Sequence, residues 1–175
     1  MKLLLPRSVL NRLRHDLKGG KRREIGGLIL GEHVEGETFR IVELTVQKTG
    51  SSPVHFIRDP SFHQPQLDDF FARTGNDYAR FNYMGEWHSH PSFEPLPSTE
   101  DIMSMQEIVE DSTVGVNFLV LVIARLIRLD NIQLSAMLFQ PHYPPSEIDA
   151  VLEDAADQKV SLVRRFFRSV FNRAT

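Results

Sequence analysis

The chain reads Glu86-Trp87-His88-Ser89-His90 and then, after a further seven residues, Ser98-Thr99-Glu100-Asp101. Residues i and i+2 of a strand point to the same face, so a strand through this stretch directs both imidazoles to one point. Asp101 is predicted in the first turn of the next helix, and a proline-rich loop can bring its carboxylate back to the histidines. Two histidines and a carboxylate leave one tetrahedral position open, which is the ligand layout of a catalytic zinc site.

The sequence contains no cysteine. Its absence excludes disulfides and thiolate metal clusters and is typical of a reducing compartment, so any metal must be held by His, Asp or Glu. A hydrolytic zinc site also needs a general base, and a carboxylate is the usual choice. Spacing alone offers four candidates and does not choose among them: Glu24, Glu86, Glu94 and Glu100.

The apolar pattern around this stretch predicts a mixed α/β fold with one central sheet covered by helices. Helices are predicted at residues 8–18, 61–73 and 98–110. Strands are predicted at residues 24–31, 38–47, 54–58, 81–90, 118–125 and 132–140, with a hairpin turn at Glu35-Gly36. Trp87 alternates with the histidines and is therefore expected to pack in the core on the opposite face.

We predict two parts of the chain, residues 1–143 with the metal site and residues 144–175 as a C-terminal helical extension. Pro144-Pro145 breaks the chain, and a helical region is predicted from Ser146 towards Asn172. Apolar residues at helical spacing face an arginine-rich side there, namely Val163, Phe166, Phe167, Val170 and Phe171. Packing on the same domain or on a partner subunit is the first interpretation, and docking to another protein or a membrane surface is the alternative.

Length and charge restrict the class of protein. The 175 residues suffice for one domain with its own core, and the formal net charge of -3 gives no overall field that would attract nucleic acid. No stretch approaches the roughly 18 apolar residues of a membrane helix. The apolar start of the chain is too short for a signal peptide and is followed by Arg7. We expect a cytoplasmic protein with no transmembrane segment and no nucleic-acid partner.

The run from His88 to Asp101 resembles the JAMM motif of the MPN+ (JAB) metallopeptidases, His-x-His-x7-Ser-x-x-Asp, at every position. That family also carries a glutamate near its first core strand, and Glu24 stands where this glutamate is expected. The resemblance extends with the flanking elements to about Gln140. It implies an MPN/JAB1-type fold, with a mostly antiparallel central sheet flanked by helices and a layering like that of cytidine deaminases.

The resemblance also implies a role for each motif residue. His88, His90 and Asp101 are expected to bind one Zn²⁺ per chain. Glu24 is expected to deprotonate the attacking water and then protonate the leaving amine, and Ser98 to donate a hydrogen bond to the oxyanion.

Simpler interpretations stand beside these roles. Ser98 and Asp101 also have the spacing of a helix capping box, which can coexist with a metal site. Glu86 is interpreted as an outer partner that orients His88, or else as an ordinary charged residue. The remaining histidines lack ligand spacing and are interpreted as surface or structural residues: His15, His33, His55, His63 and His142.

A finer likeness lies in the flanks at residues 85–91 and 56–59, which look like those of small bacterial JAB peptidases. Such peptidases are encoded in integrative elements and antiphage operons, beside homologues of ubiquitin-activating and ubiquitin-conjugating enzymes. The likeness implies an isopeptidase that cleaves after the tail of a ubiquitin-like protein or its conjugate, with E1- and E2-like proteins as possible partners. The alternatives are a processing peptidase for a sulfur-carrier precursor, a non-catalytic MPN scaffold and a DNA-associated role.

Overall fold

The computed structural model describes residues 1–47, 59–153 and 160–162, which contain three helices and nine strands. The helices are α1 (Arg7–Gly20), α2 (Pro60–Arg73) and α3 (Thr99–Glu110). The strands are β1 (Lys2–Leu5), β2 (Gly26–Glu35), β3 (Thr38–Leu44), β4 (Phe81–Ser89), β5 (Leu119–Leu126), β6 (Ile132–Gln140), β7 (Tyr143–Glu147), β8 (Asp149–Leu152) and β9 (Val160–Leu162).

All of these strands belong to one mixed sheet, in the order β7-β6-β5-β4-β2-β3-β1-β8, with β9 also paired to β6. Its three longest ladders, β2 with β3, β2 with β4 and β5 with β6, are antiparallel. The central pair β4 and β5 is parallel, which is possible because α3 carries the chain from the end of β4 back to the start of β5. The predicted mixed α/β fold with a central sheet and flanking helices is confirmed.

Helices cover both faces of the sheet. On one face α1 packs through Leu10 and Leu13 against β-strand residues that include Trp87 and Val122. On the other face α3 packs Met105 and Val109 against β5 and β6, and α2 packs Phe70 against β2. The alternation along β5 explains both cores: Val120 and Val122 face α1, whereas Leu119, Leu121 and Ile123 face α3.

Gly85 permits the close contact between β4 and β5. Its φ of 142° is a backbone conformation that L residues rarely adopt, and a Cβ built there would lie 2.0 Å from the carbonyl oxygen of Val120. Because Gly85 pairs with Val120, this contact sets the register in which His88 lies beside Ile123. The close contact at Gly85 therefore helps to position the motif histidines, which begin three residues later at His88.

The structure corrects one prediction near the end of the chain and adds a strand at its start. The helix predicted from Ser146 is wrong for the described residues that follow it, because β7 and β8 occupy residues 143–147 and 149–152. β7 forms a hairpin with the preceding strand β6. β8 pairs with β1, which is distant in sequence, and a local helical pattern cannot show that pairing. The same long-range pairing explains β1, which the sequence reading missed.

Three other predictions remain untested. The predicted strand at residues 54–58 and the apolar stripe from Val163 to Phe171 lie outside the described residues. The division at residue 143 likewise stays a prediction. Within the described part of the chain, no helix has the length and apolar character needed to cross a membrane.

Candidate metal centre

The end of β4 and the residue that follows it supply two buried imidazoles. His88 is 6% exposed and His90 9% exposed, and their Nε2 atoms lie 3.2 Å apart. Trp87 precedes His88, and the alternation of side chains along the strand directs it to the α1 face, where it is 1% exposed. The Trp87 indole donates to the carbonyl oxygen of Thr45 at 2.8 Å. The prediction that Trp87 packs in the core opposite the histidines is confirmed, and its anchoring fixes the strand that carries them.

Asp101 reaches the histidines from the first turn of α3. Its Oδ1 is 3.4 Å from His88 Nε2, and its Oδ2 is 4.0 Å from His90 Nε2. The predicted capping box is present: Asp101 N–H donates to Ser98 Oγ at 3.1 Å, and Ser98 N–H donates to Asp101 Oδ2 at 2.7 Å. The Ser98 hydroxyl also donates to Asp101 Oδ2 at 2.7 Å. One motif thus caps the helix and holds the carboxylate towards the imidazoles.

The protonation states suit a cation. Burial alone would raise the pKa of the Asp101 carboxyl, but hydrogen bonds from His88 and Ser98 lower this pKa well below its usual range. Burial lowers the pKa of His90, and the neighbouring His88 adds to that effect, while the Glu94 carbonyl and Asp101 oppose it. At neutral pH the group therefore contains a carboxylate and a neutral His90, the forms that ligate metals.

The donor set fits a single zinc ion. Ligand atoms of His88, His90 and Asp101 all lie within 4.8 Å of one another. Tetrahedral zinc bonds of about 2.0–2.1 Å separate neighbouring ligand atoms by about 3.3 Å, close to the observed 3.2 and 3.4 Å contacts. His90 Nδ1 lies 3.1 Å from the carbonyl oxygen of Glu94, which can only accept. The proton is therefore on Nδ1, and the lone pair of Nε2 points into the group.

Glu24 is the further carboxylate that the fold brings to this group. It is 4% exposed, and its Oε1 lies 4.0 Å from His90 Nε2. The neighbouring Ile25 holds it there, because Ile25 N–H donates to Ser89 Oγ at 3.0 Å and Ser89 N–H donates to the Ile25 carbonyl at 2.8 Å. Register across β2 and β4 therefore joins two stretches that are more than sixty residues apart.

The other three base candidates have different surroundings. Glu94 is exposed and pairs with Arg125 at 2.7 Å. Glu86 shares the face of His88, and the Tyr83 hydroxyl is 3.5 Å from its carboxylate. Glu100 is exposed in the first turn of α3. Among the described residues, Glu24 and Asp101 are the carboxylates within 4.0 Å of His90 Nε2.

A buried polar network of His63, Thr45 and Gln47 supports the site and was not predicted from the sequence. His63, on α2, is 1% exposed and contacts Thr45 Oγ1 at 2.8 Å and Gln47 Oε1 at 3.1 Å. Thr45 Oγ1 accepts from Leu28 N–H at 2.7 Å, and Gln47 N–H donates to the Gly26 carbonyl at 2.7 Å. Gly26 pairs with His88, so the network supports the strand next to the ligands. No sequence spacing signals it, since its members meet only through packing.

Comparison with known proteins assigns the family. Residues 6–138 match the family described as prokaryotic homologs of the JAB domain. The chain belongs to this prokaryotic JAB family. The matched range includes Glu24 and the whole His88–Asp101 stretch, so the residues that the fold gathers lie inside the JAB domain.

Curated relatives of the JAB domain match about half of the chain. A CD-NTase/cGAS isopeptidase of Enterobacter hormaechei is 35% identical over 99 residues, which cover 55% of this chain and 51% of that protein. The 26S proteasome non-ATPase regulatory subunit 14 of Dictyostelium discoideum is 31% identical over 100 residues, 57% of this chain and 31% of that protein. The match thus spans about a third to a half of the relatives' own lengths.

A solved structure shares the fold of the JAB domain. A protein from Desulfitobacterium hafniense, determined in solution, superposes with a TM-score of 0.63 at 19% identity. The match covers 87% of this chain and 93% of that protein.

Proposed function

We propose that this JAB-family chain is a zinc-dependent isopeptidase that cleaves after the C-terminal tail of a ubiquitin-like protein or its conjugate. The observation that carries the proposal is the group of His88, His90 and Asp101 within 4.8 Å, with the Glu24 carboxylate 4.0 Å from His90. Two imidazoles and one carboxylate leave a coordination position open, which distinguishes hydrolytic from structural zinc sites.

Each residue has a separate task in this proposal. His88, His90 and Asp101 hold the ion. When bound, zinc lowers the pKa of water and polarises the scissile carbonyl. Glu24 accepts the proton of the attacking water on its carboxylate and passes it to the leaving amine. The Ser98 hydroxyl, which donates to Asp101 in the free protein, turns to donate to the oxyanion when substrate is present.

The substrate class follows from the relatives and the motif. Two matching bacterial proteins, from Enterobacter hormaechei and Vibrio cholerae, are CD-NTase/cGAS isopeptidases, and the flanks of the motif resemble JAB peptidases of antiphage operons. We therefore propose deconjugation within an antiphage defence system, beside E1- and E2-like enzymes. All motif residues are present, which favours this proposal over a non-catalytic scaffold.

A reporter fused to the tail of a ubiquitin-like protein tests the proposal. The zinc-loaded protein is incubated with a ubiquitin-like protein encoded beside it, and cleavage is followed by intact mass. We expect a cut at the end of the tail. Glu24→Gln should lower kcat by about 10²–10⁴-fold, because general base catalysis is lost while the shape of the side chain is kept.

Two controls separate the site from the rest of the protein. Chelation should abolish cleavage and added zinc should restore it, whereas His15→Ala on the exposed face of α1 should cleave at the wild-type rate. If Glu24→Gln cleaves as fast as the wild type, Glu24 is not the base. If zinc binds stoichiometrically and neither this fusion nor a sulfur-carrier precursor is cut, the scaffold alternative is favoured.

A further inference from the structure

A small cavity lies on the α1 side of the β4 end, opposite the metal ligands. It encloses about 200 Å³, and Lys18 and Lys21 line it together with Ser89, Pro91 and Arg125. Ser89 separates the two motif histidines in sequence, so strand alternation sends its side chain to the opposite face. The cavity and the candidate metal centre therefore share one strand end.

The positive charges around this cavity are only partly neutralised. Lys18 pairs with Asp130 at 2.7 Å, and Arg125 pairs with Glu94 at 2.7 Å. In contrast, Lys21 and the adjacent Arg22 and Arg23 are exposed, and no hydrogen bond or ion pair joins their side chains to the described residues. Three uncompensated cations thus stand immediately before Glu24, in a protein whose formal net charge is -3.

Ser89 adds a buried polar group to the cavity. Its side chain is 2% exposed, and its Oγ accepts a hydrogen bond from Ile25 N–H at 3.0 Å. A serine hydroxyl can accept and donate at once, and the structure gives its proton no acceptor among the described residues. Ser89 and Lys21 line the same cavity, and a hydroxyl donor together with an ammonium group is a donor set suited to a carboxylate.

The position of the cavity indicates the occupant. The start of β2 with Glu24, the end of β4 with His90 and the end of β5 with Arg125 form one edge of the sheet. The cavity and the candidate metal centre therefore lie at the same end of the sheet, on opposite faces, and a polypeptide bound at the centre can extend around this end to the cavity. The cavity has room for one side chain rather than for a run of phosphates, which favours an acidic polypeptide over a nucleic acid.

We propose that this basic pocket, lined by Lys21 and Ser89 and followed in sequence by the exposed Arg22 and Arg23, binds an acidic side chain of the polypeptide substrate near the cleaved bond. This inference rests on the proposed peptidase function, because one of its two tests measures cleavage of a reporter. Binding of the acidic segment by the pocket does not itself need cleavage, so it has an independent readout.

Direct binding tests the pocket without catalysis. The probes are a fluorescein-labelled peptide of Gly, Ser and Glu and its counterpart with Gln at every Glu position, measured by anisotropy on zinc-loaded Glu24→Gln protein. We expect the Glu peptide to bind about tenfold more tightly than the Gln peptide, with a difference that shrinks as salt screens the charges. Adding Lys21→Asn, Arg22→Gln and Arg23→Gln should remove the difference.

The substitutions are chosen to preserve the fold. Lys21 has a φ of 57°, and Asn tolerates this left-handed conformation well. Lys2→Gln with Arg128→Gln is a control for the loss of positive charge elsewhere, removing two charges where the triple variant removes three, because both residues are exposed and neither lines the pocket. This control should keep the full preference for the Glu peptide. Equal binding of the two peptides, or tighter binding of a single-stranded oligonucleotide than of the Glu peptide, overturns the proposal.

The catalytic arm distinguishes the two proposals. On tail-fusion reporters that carry Glu or Gln beside the cleaved bond, the triple variant should lose about tenfold in kcat/KM on the Glu reporter through KM, with kcat unchanged. Loss of kcat on both reporters contradicts the pocket as a binding site. If no reporter is cleaved but the Glu peptide still binds through Lys21, the peptidase proposal fails and the pocket stands.

Discussion

Two imidazoles with Nε2 atoms 3.2 Å apart can share either one hydrogen bond or one cation. If both were protonated, they would repel each other in a site where each is at most 9% exposed. If both are neutral and His90 carries its proton on Nδ1, a lone pair points into the group. Asp101 supplies the negative charge that a divalent ion needs. At the residue scale, the charges and lone pairs of this group are therefore suited to a divalent metal ion.

Removal of one ligand should abolish zinc binding. We expect His88→Ala to lower the zinc affinity by more than the 10–100-fold that loss of an outer hydrogen-bond partner typically costs. Bound zinc, measured by mass spectrometry of the metal after dialysis, should fall from one ion per chain to a trace. His15→Ala is the matched control, and it should retain the ion. Retention of stoichiometric zinc by His88→Ala would place the metal elsewhere.

At the scale of single elements, the start of α3 serves both the helix and the ligand. Ser98→Ala removes the N-cap and one of two donors to Asp101 Oδ2. We expect a loss of about 1 kcal/mol in the free energy of unfolding, together with weaker zinc binding, because Asp101 becomes less fixed. Urea unfolding and a zinc titration with a competing chelator measure the two effects.

The cap of α2 provides the control for this prediction. Asp59 accepts from Ser61 N–H at 3.0 Å, in a helix that holds no ligand. Asp59→Ala should destabilise the fold to a similar degree and weaken zinc binding much less than Ser98→Ala does, because Asp59 contacts the supporting residue Gln47 and not the carboxylate of Asp101. If both variants weaken zinc binding equally, the effect of Ser98 is general instability and not positioning.

The contact between β4 and β5 depends on a missing side chain. Gly85→Ala should cost about 3 kcal/mol in the free energy of unfolding, because its Cβ would meet backbone atoms of Val120 that cannot rotate away. Gly36→Ala separates the steric from the conformational cost, since Gly36 has a φ of 49° with no atom within 4 Å of the added Cβ. We expect about 1–2 kcal/mol there, measured by the same denaturation. Equal losses would contradict the steric explanation.

At the scale of the whole molecule, a buried acid joins distant parts of the sheet. Glu32 is 7% exposed on β2 and accepts hydrogen bonds from Arg40 on β3 and from Arg80 before β4, with an Arg80 contact of 2.6 Å. Arg40 also donates to Glu153, just after β8. Burial alone would raise the pKa of Glu32, but the hydrogen bonds from Arg80 and Arg40 lower it. Glu32 thus binds a proton more weakly in the folded than in the unfolded chain.

This difference in pKa predicts a loss of stability in acid. The contribution of Glu32 is complete above the unfolded glutamate pKa of about 4.3 and declines as the pH falls through that value towards the folded pKa. The unfolding free energy of the wild type should therefore fall more steeply between about pH 5 and pH 3 than that of Glu32→Gln. Exposed Glu107→Gln should keep the wild-type slope. Identical slopes for all three proteins would refute the prediction.

Much of the fold could be predicted because its signals are local. The predicted strand at residues 132–140 coincides with β6, and the helices at 61–73 and 98–110 agree with α2 and α3 within one residue. Caps such as Ser98 and alternation such as that of Trp87 act over a few residues, so they can be seen in the sequence. β1 and β8 were missed because each is stabilised by partners more than thirty residues away.

The sequence alone determined the types and spacing of the candidate ligands, since His88, His90 and Asp101 lie on one strand end, one loop and one helix start. Spacing alone left four carboxylates as candidates for the base, and the resemblance to the JAMM motif pointed to Glu24 among them. Tertiary structure singled out Glu24 as the one near His90, because only the pairing of β2 with β4 and the Ile25–Ser89 hydrogen bonds bring it there. The same pairing created the basic pocket behind Ser89. Caps and side-chain alternation depend on residues that are close in sequence. Proximity across a sheet depends on the register between two strands, and the sequence of one strand alone does not specify that register.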